Sequence, residues 1–111
     1  MQYALLAYSR GERRPTDEID PAIAAVLERP NVSGWLRLKG AQSATTVKLE
    51  ARRTVLTDGP FVESKEFLGG LILVDADDLD GALAVATELQ ELDVSAAIEV
   101  RPVLELALPG A

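Results

Sequence analysis

Two segments of the 111-residue chain are apolar at both odd and even positions, and they constrain the fold more than any other feature. One runs from Gln2 to Tyr8 and the other from Phe67 to Val74. A strand with two apolar sides is typical of the middle of a sheet whose faces are both covered. We therefore predict that these segments are the two central strands of one sheet.

Two helices are predicted from their capping residues and apolar faces. The first begins at Thr16 or Asp20, either of which can cap it, and is stopped by Pro30. The second begins at Asp77 or Asp78, where negative charge suits the positive end of the helix dipole. The predicted apolar faces are Ile23, Val26 and Leu27 in the first helix, and Leu79, Ala82, Leu83, Ala86 and Leu89 in the second.

Further strands are predicted over residues 33–38, 45–50 and 54–57 and within residues 96–108, and the second and third of these form a hairpin. Gly69-Gly70 predicts a bulge in the second central strand, and Pro102 puts the last strand at an edge or at its own end. The alternation of residues assigns the two faces of each strand. Leu36 and Leu38 lie opposite Trp35 and Arg37, and Ile98 and Val100 alternate with Glu99 and Arg101. Thr45, Val47 and Leu49 point inward and Thr46, Lys48 and Glu50 outward, so residues 45–50 are predicted to be an exposed or edge strand.

The order of these elements is strand, helix, strand, hairpin, strand, helix, strand. It contains two β-α-β halves and predicts a single α+β domain over residues 1–111, with a ferredoxin-like βαββαβ order and an inserted hairpin. Two short helices cover only one sheet face, whereas the central strands are apolar on both. A monomer seldom exposes such a face, so we predict a symmetric homodimer packed sheet against sheet. The alternative is that the hairpin and the C-terminal tail cover it.

A charged, irregular segment, residues 57–70, lies between the hairpin and the second central strand, and we call it the hook. Asp58-Gly59-Pro60 forces a turn in which Gly59 can take a positive φ. If Asp58 is partly desolvated near Phe61, it can serve as a general acid or base. The alternative is that Asp58 accepts backbone hydrogen bonds in the turn. Phe61 is predicted to plug apolar surface.

Several residues are candidates for lining a ligand cleft beside the hook. Lys65 either pairs with Glu63 or Glu66 or binds an anionic group of a substrate. Tyr8 and Arg101 lie on or near the central strands, and Trp35 and Arg37 are further candidates, although core or interface roles are commoner for such residues. The predicted substrate-binding set is Tyr8, Gly59, Pro60, Phe61, Lys65 and Arg101, with Asp58 as the candidate catalytic residue.

The composition excludes several classes of protein. The chain has no cysteine, so disulfides and thiolate metal sites are excluded, and no histidine, which removes the commonest general base and zinc ligand. The net charge is −7, and the basic residues are scattered apart from Arg10, Arg13 and Arg14, which disfavours nucleic-acid binding. No apolar run is long enough to span a membrane. We expect a cytoplasmic protein with no membrane partner, no metal and no bound redox cofactor.

The acidic run Asp75-Ala76-Asp77-Asp78-Leu79-Asp80-Gly81 superficially matches a calcium-binding loop. With Gly81 at the sixth position of such a loop, the first position is Ala76 and the twelfth is Thr87. Neither residue supplies the carboxylate that the site needs, so a helix cap is the better interpretation of this run.

A family resemblance rests on these same segments. Asp58-Gly59-Pro60-Phe61, the following Glu63 to Glu66, Leu68-Gly69-Gly70, Asp77-Asp78-Leu79-Asp80 and Ile98-Glu99-Val100-Arg101-Pro102 resemble the DGPF branch of the YCII-related proteins, over about residues 35–103. The resemblance implies a ferredoxin-like domain that dimerises into an α/β-barrel arrangement with a cleft beside the hook. A His-Asp pair is suspected to be catalytic in YCII-type relatives, and this chain lacks histidine.

Two classes of function remain open. In the first, the protein is a small enzyme that uses Asp58 as acid or base on a small organic molecule. In the second, it is a noncatalytic ligand-sensing or regulatory module that uses the same cleft to sense a metabolite or to contact a protein partner. A sigma factor is one such partner, because some relatives in the family that the chain resembles accompany extracytoplasmic-function sigma factors. A purely structural role, in which the hook latches the dimer, is a third reading.

Overall fold

A computed structural model describes residues 1–9, 18–62, 65–92 and 94–108. Along the chain the elements are β1 (Gln2–Ser9), α1 (Pro21–Leu27), β2 (Val32–Arg37), β3 (Thr45–Glu50), β4 (Arg53–Asp58), β5 (Phe67–Asp75), α2 (Leu79–Glu91) and β6 (Ala97–Pro102), with a short 3-10 turn at Ala41–Ser43. The predicted order of strands and helices is confirmed.

Four strands form one antiparallel sheet in the order β2-β5-β1-β6. This order and the two helices confirm the α+β, ferredoxin-like prediction. The central strands are β1 and β5, and β6 is an edge strand that ends at Pro102. The predicted bulge is confirmed at Gly69, because Ala7 pairs with Gly70 whereas Tyr8 pairs with Leu68.

Both helices begin at aspartate caps. The carboxylate of Asp20 accepts a hydrogen bond from the backbone N–H of Ala22 at 2.7 Å, and Pro21 occupies the first helical position. The carboxylate of Asp78 accepts one from the N–H of Gly81 at 2.9 Å. Asp20 and Asp78 are therefore the caps among the predicted alternatives, and Thr16 lies outside the described residues, as do Arg10, Arg13 and Arg14.

The core lies between the helices and one face of the sheet. Leu5, Ile72 and Val74 from the central strands pack against Ile23, Val26 and Leu27 of α1 and against Val85, Ala86 and Leu89 of α2. Since α1 has only seven residues, its stability comes from this packing.

The predicted apolar face of α2 needs one correction. Ala82, Ala86 and Leu89 are buried as predicted, but Val85 is buried with them, while Leu79 and Leu83 are 47% and 41% exposed. Leu83 lies about 100° round the helix from Ala82, away from the buried side, and Leu79 is the first residue of the helix. None of the helices in the described part of the chain is long and apolar enough to cross a membrane.

The hairpin formed by β3 and β4 is a separate two-stranded sheet that packs mainly on itself. The prediction that Val47 and Leu49 point into the core is wrong for the single chain, because they are 67% and 72% exposed. The Cα radius of gyration is 15.7 Å, whereas a compact chain of this length has about 13 Å. The alternation in the sequence is that of a real strand face, but no other part of the described chain lies against it.

Candidate functional site

The start of the hook is fixed to the first strand of the hairpin. Gly59 has a φ of +99°, which confirms the predicted positive angle. Its N–H donates to the carbonyl of Ala44 at 2.8 Å, and its own carbonyl accepts from the hydroxyl of Thr46 at 2.8 Å. A side chain at this position would meet no neighbour within 4 Å, so glycine is required here by the backbone angle. These bonds hold Asp58, the last residue of β4, at the base of the hairpin.

Three of the predicted hook residues, Asp58, Phe61 and Lys65, are exposed to solvent. Asp58 is exposed, and its carboxylate accepts no hydrogen bond from the described residues. Phe61 is 72% exposed, and the Nζ of Lys48 lies 5.8 Å from its ring centroid. Within the described part of the chain no surface covers Asp58 or Phe61, so the desolvation expected for Asp58 and the plugging role expected for Phe61 stay predictions. Pro60 is half-buried and Lys65 is exposed, and Glu63 lies outside the described residues.

The face of the sheet turned away from the helices has an apolar centre, and we call it the open face. Register places Ala4, Leu6 and Leu73 on it, because Leu5, Ile72 and Val74 point to the helices. Leu36 and Leu68 on this face are 47% and 39% exposed. The hairpin does not cover it, and Leu104, Leu106 and Leu108 of the tail are themselves exposed. Within the described residues, which end at Leu108, the alternative that hairpin and tail bury this face is not observed.

One end of the open face carries a polar cluster. Tyr8, Glu66 and Glu99 line a shallow depression there, and the Nε of Arg101 donates to the Oε2 of Glu99. Tyr8 and Arg101, which are predicted site residues, thus reach the same face and the same pair of strands. Glu99 and Glu66 were not predicted as site residues. Glu99 was detectable, because residues two apart on a strand share a face, and it lies two positions from Arg101.

The opposite face of the sheet contains a cavity of about 340 Å³ between β2, β5 and α1. Its lining includes Trp35 and Arg37, two of the further candidates, and Gly69 and Gly70 from the end of the hook. None of the predicted site residues of the hook lines it: Asp58, Gly59, Pro60, Phe61 and Lys65. The cavity exists because the cross-strand row Ala7-Gly70-Arg37 has two small residues at its centre. In the neighbouring row, Leu5-Ile72-Trp35, the same space is filled. The pairing of small residues on separate strands cannot be read from either segment alone.

An ion pair joins the two helices. The guanidinium of Arg29, after α1, donates to both carboxylate oxygens of Glu88 in α2, from Nη1 to Oε2 at 2.7 Å and from Nη2 to Oε1 at 2.5 Å. These hydrogen bonds lower the pKa of Glu88 and raise the pKa of Arg29. Both side chains are about two-fifths exposed, at 42% and 43%, so water screens the pair. The pair links the segment after α1 to α2 and contributes modestly to stability.

The described residues contain no group of three or more acidic side chains placed to hold a metal ion. Glu99 accepts a hydrogen bond from Arg101, and Asp78 caps α2.

Comparison with known proteins identifies the family. The model of the YCII-related domain matches residues 1–107. The chain belongs to the YCII-related domain family. An uncharacterised protein of Rhizobium meliloti (strain 1021) is 35% identical to this YCII-related domain over 121 aligned positions, which cover 99% of this chain and 97% of that protein. The predicted resemblance to the YCII-related proteins is thus confirmed at the level of the family.

Proposed function

We propose that this YCII-related domain works in the cytoplasm as a homodimer, with the two open faces packed against each other and a small-molecule cleft beside the hook. The observation that carries the proposal is the open face itself, whose apolar centre is only partly covered in the single chain. Symmetric pairing of two such faces buries both with one contact. The Asp58-Gly59-Pro60-Phe61 segment supports placing the chain in the DGPF branch of the family.

The size of the open face indicates that the hairpin belongs to the same interface. Four strands about 4.8 Å apart and about six residues long present a projected area of about 20 by 20 Å, or about 400 Å². A stable interface buries about 800 Å² on each partner. The exposed hairpin face, with Val47, Leu49 and Leu56, provides additional apolar area. A second copy that covers it would also stabilise a two-stranded sheet that is marginal in water on its own.

This arrangement gives Asp58 a role in chemistry. Register puts Asp58 opposite Thr45 and on the same hairpin face as Val47 and Leu56, so a partner that covers this face removes water from the Asp58 carboxylate. A partly desolvated carboxylate can accept or return a proton during a reaction. The polar cluster supplies the other groups: the hydroxyl of Tyr8 and the Arg101-Glu99 pair can orient a small polar substrate. The proposed activity is acid-base chemistry on a small organic molecule.

A regulatory role is the second candidate, and the net charge of −7 is the observation that favours it. An acidic surface suits a basic protein partner, and an extracytoplasmic-function sigma factor is the partner that we propose for this case. In this form the same cleft senses a metabolite, and no turnover occurs.

A ligand screen tests the proposed cleft. The melting temperature of the wild type is measured against a library of small metabolites, and each hit is repeated with Asp58→Asn and Arg101→Gln. A ligand well above its dissociation constant raises the melting temperature by mass action. We expect hits that weaken in both variants, and turnover of a hit by the wild type alone would assign an enzyme. A screen in which no hit weakens in either variant would contradict a cleft beside the hook.

A further inference from the structure

The cavity on the helix side of the sheet has the features of a second ligand site. Its volume of about 340 Å³ lies within the range of small-molecule pockets. The floor is formed by Ala7, Gly70 and Ile72, and α1 contributes Ile23 and Leu27 to the wall. These surfaces are apolar and mostly buried, so they attract the apolar part of a ligand.

Polar and aromatic groups are confined to the open side of the cavity. Trp35 and Arg37 are two residues apart on β2 and point to the same side, next to Ile72 and Gly70 respectively. Trp35 is 47% exposed, so part of its indole is available to a ligand ring. A guanidinium can hold a carboxylate by two parallel hydrogen bonds. Since it has five N–H donors, Arg37 can do so while keeping a contact of its own.

The acidic residues of the lining further restrict the class of ligand that the cavity can bind. Glu18 and Asp20 are both exposed at the cavity, and Asp20 already accepts the capping hydrogen bond from Ala22. Two carboxylates that line the same cavity as Arg37 repel ligands with several negative charges, such as phosphate esters and dicarboxylates. They tolerate a single carboxylate that reaches Arg37 directly.

From this arrangement we propose that the helix-side cavity binds a small aromatic monocarboxylate, with its ring against Trp35 and the apolar floor and its carboxylate on Arg37. The site lies on the opposite face of the sheet from the cleft proposed above. Each site can therefore exist without the other.

Trp35 is the single tryptophan of the chain, so its fluorescence reports on this cavity directly. The probes are phenylacetate, phenylacetamide and phenethylamine, which share a ring and differ in charge. We expect phenylacetate to change the emission of Trp35 saturably and to bind about tenfold more tightly than the amide, as one charge-assisted hydrogen-bond pair allows. Equal binding of acid and amide, tighter binding of the amine, or no saturable change with any probe would overturn the proposal.

Four variants locate the binding. Arg37→Gln should remove the preference for the acid while leaving the weak binding of the amide unchanged. Ala7→Val, which fills the floor with a residue that suits a strand, should weaken both probes. Arg53→Gln makes the same change of charge on the hairpin and should bind like the wild type. Retained acid preference in Arg37→Gln would refute the role of Arg37, and loss of phenylacetate binding in Arg101→Gln would place the probe in the open-face cleft instead.

Discussion

Leu73 and Leu5 lie on the two central strands but point to opposite faces of the sheet, and truncating each one separates the core from the proposed interface. Leu5 is fully buried against the helices. Leu5→Ala should therefore lower the free energy of unfolding by about 3 to 5 kcal/mol. Leu73 is half-buried on the open face, so the single chain gains less from it.

For Leu73→Ala the loss should appear in dimerisation. Full burial of a leucine side chain contributes about 1.5 to 3 kcal/mol, and Leu73 is already partly covered, so the second copy adds about 1 kcal/mol at each Leu73. A symmetric dimer contains two Leu73 side chains, so the free energy of dimerisation should fall by about 2 kcal/mol, which raises the dissociation constant roughly thirtyfold.

Sedimentation equilibrium gives the dissociation constant, and denaturant unfolding at one protein concentration gives the stability. We expect Leu73→Ala to dissociate with native circular dichroism and Leu5→Ala to lose stability. An unchanged dissociation constant for Leu73→Ala, or a loss of stability equal to that of Leu5→Ala, would show that the two faces are assigned wrongly.

Three further predictions concern the hook, the helix pair and the hairpin turn. Gly59→Ala should lower the free energy of unfolding by about 1 to 2 kcal/mol, because φ is +99° at that position. Gly34→Ala is the control, since an added Cβ there also meets no neighbour within 4 Å, and it should leave the free energy of unfolding unchanged. Equal effects of the two changes in thermal melts would refute a backbone cause. The lowered pKa of Glu88 means that its pair with Arg29 stabilises the fold at neutral pH and stops doing so as pH falls through that pKa. Glu88→Gln should thus be less stable than the wild type at neutral pH and equal to it in acid, and an unchanged difference across a pH series of melts would contradict this. Arg52 has a φ of +67° in the turn, so Arg52→Gly should slow hydrogen exchange in the hairpin, and faster exchange would refute strain there.

The fold was predictable because each signal for it is local. The double-sided apolar pattern of β1 and β5 identified the central strands, and Asp20, Asp78 and Pro102 marked where elements begin or end. Gly69-Gly70 marked the bulge. Glycine suits this position because a Cβ at Gly69 would lie 3.0 Å from the hydroxyl oxygen of Ser9. Such features depend on a few neighbouring residues, so they can be predicted from the sequence.

The hairpin was harder to interpret because its pattern has two solutions. Alternation in residues 45–50 correctly indicated a strand, but the same alternation suits a strand on the core and a strand that awaits a second chain. The exposure of Val47 and Leu49 decides between them for the single chain. The sequence alone cannot decide between them, because it does not show which surface packs against this strand face.

The helix-side cavity could not be predicted from the sequence, for a different reason. Ala7 and Gly70 are far apart in sequence, and only the register of β1 and β5 places them side by side. The gap they leave depends on the absence of side-chain volume at both positions at once. The hook, in contrast, is a continuous segment, and the sequence Asp58-Gly59-Pro60 alone predicted the positive φ of Gly59.

The central claim is that the open faces of two copies pack together, and the mass of the wild-type protein in solution tests it most directly. One chain has a mass of 11.9 kDa, so sedimentation equilibrium at micromolar concentration should give twice 11.9, or 23.8 kDa. A single species of 11.9 kDa over the same range would contradict the homodimer and, with it, the desolvation of Asp58 on which the proposed chemistry depends.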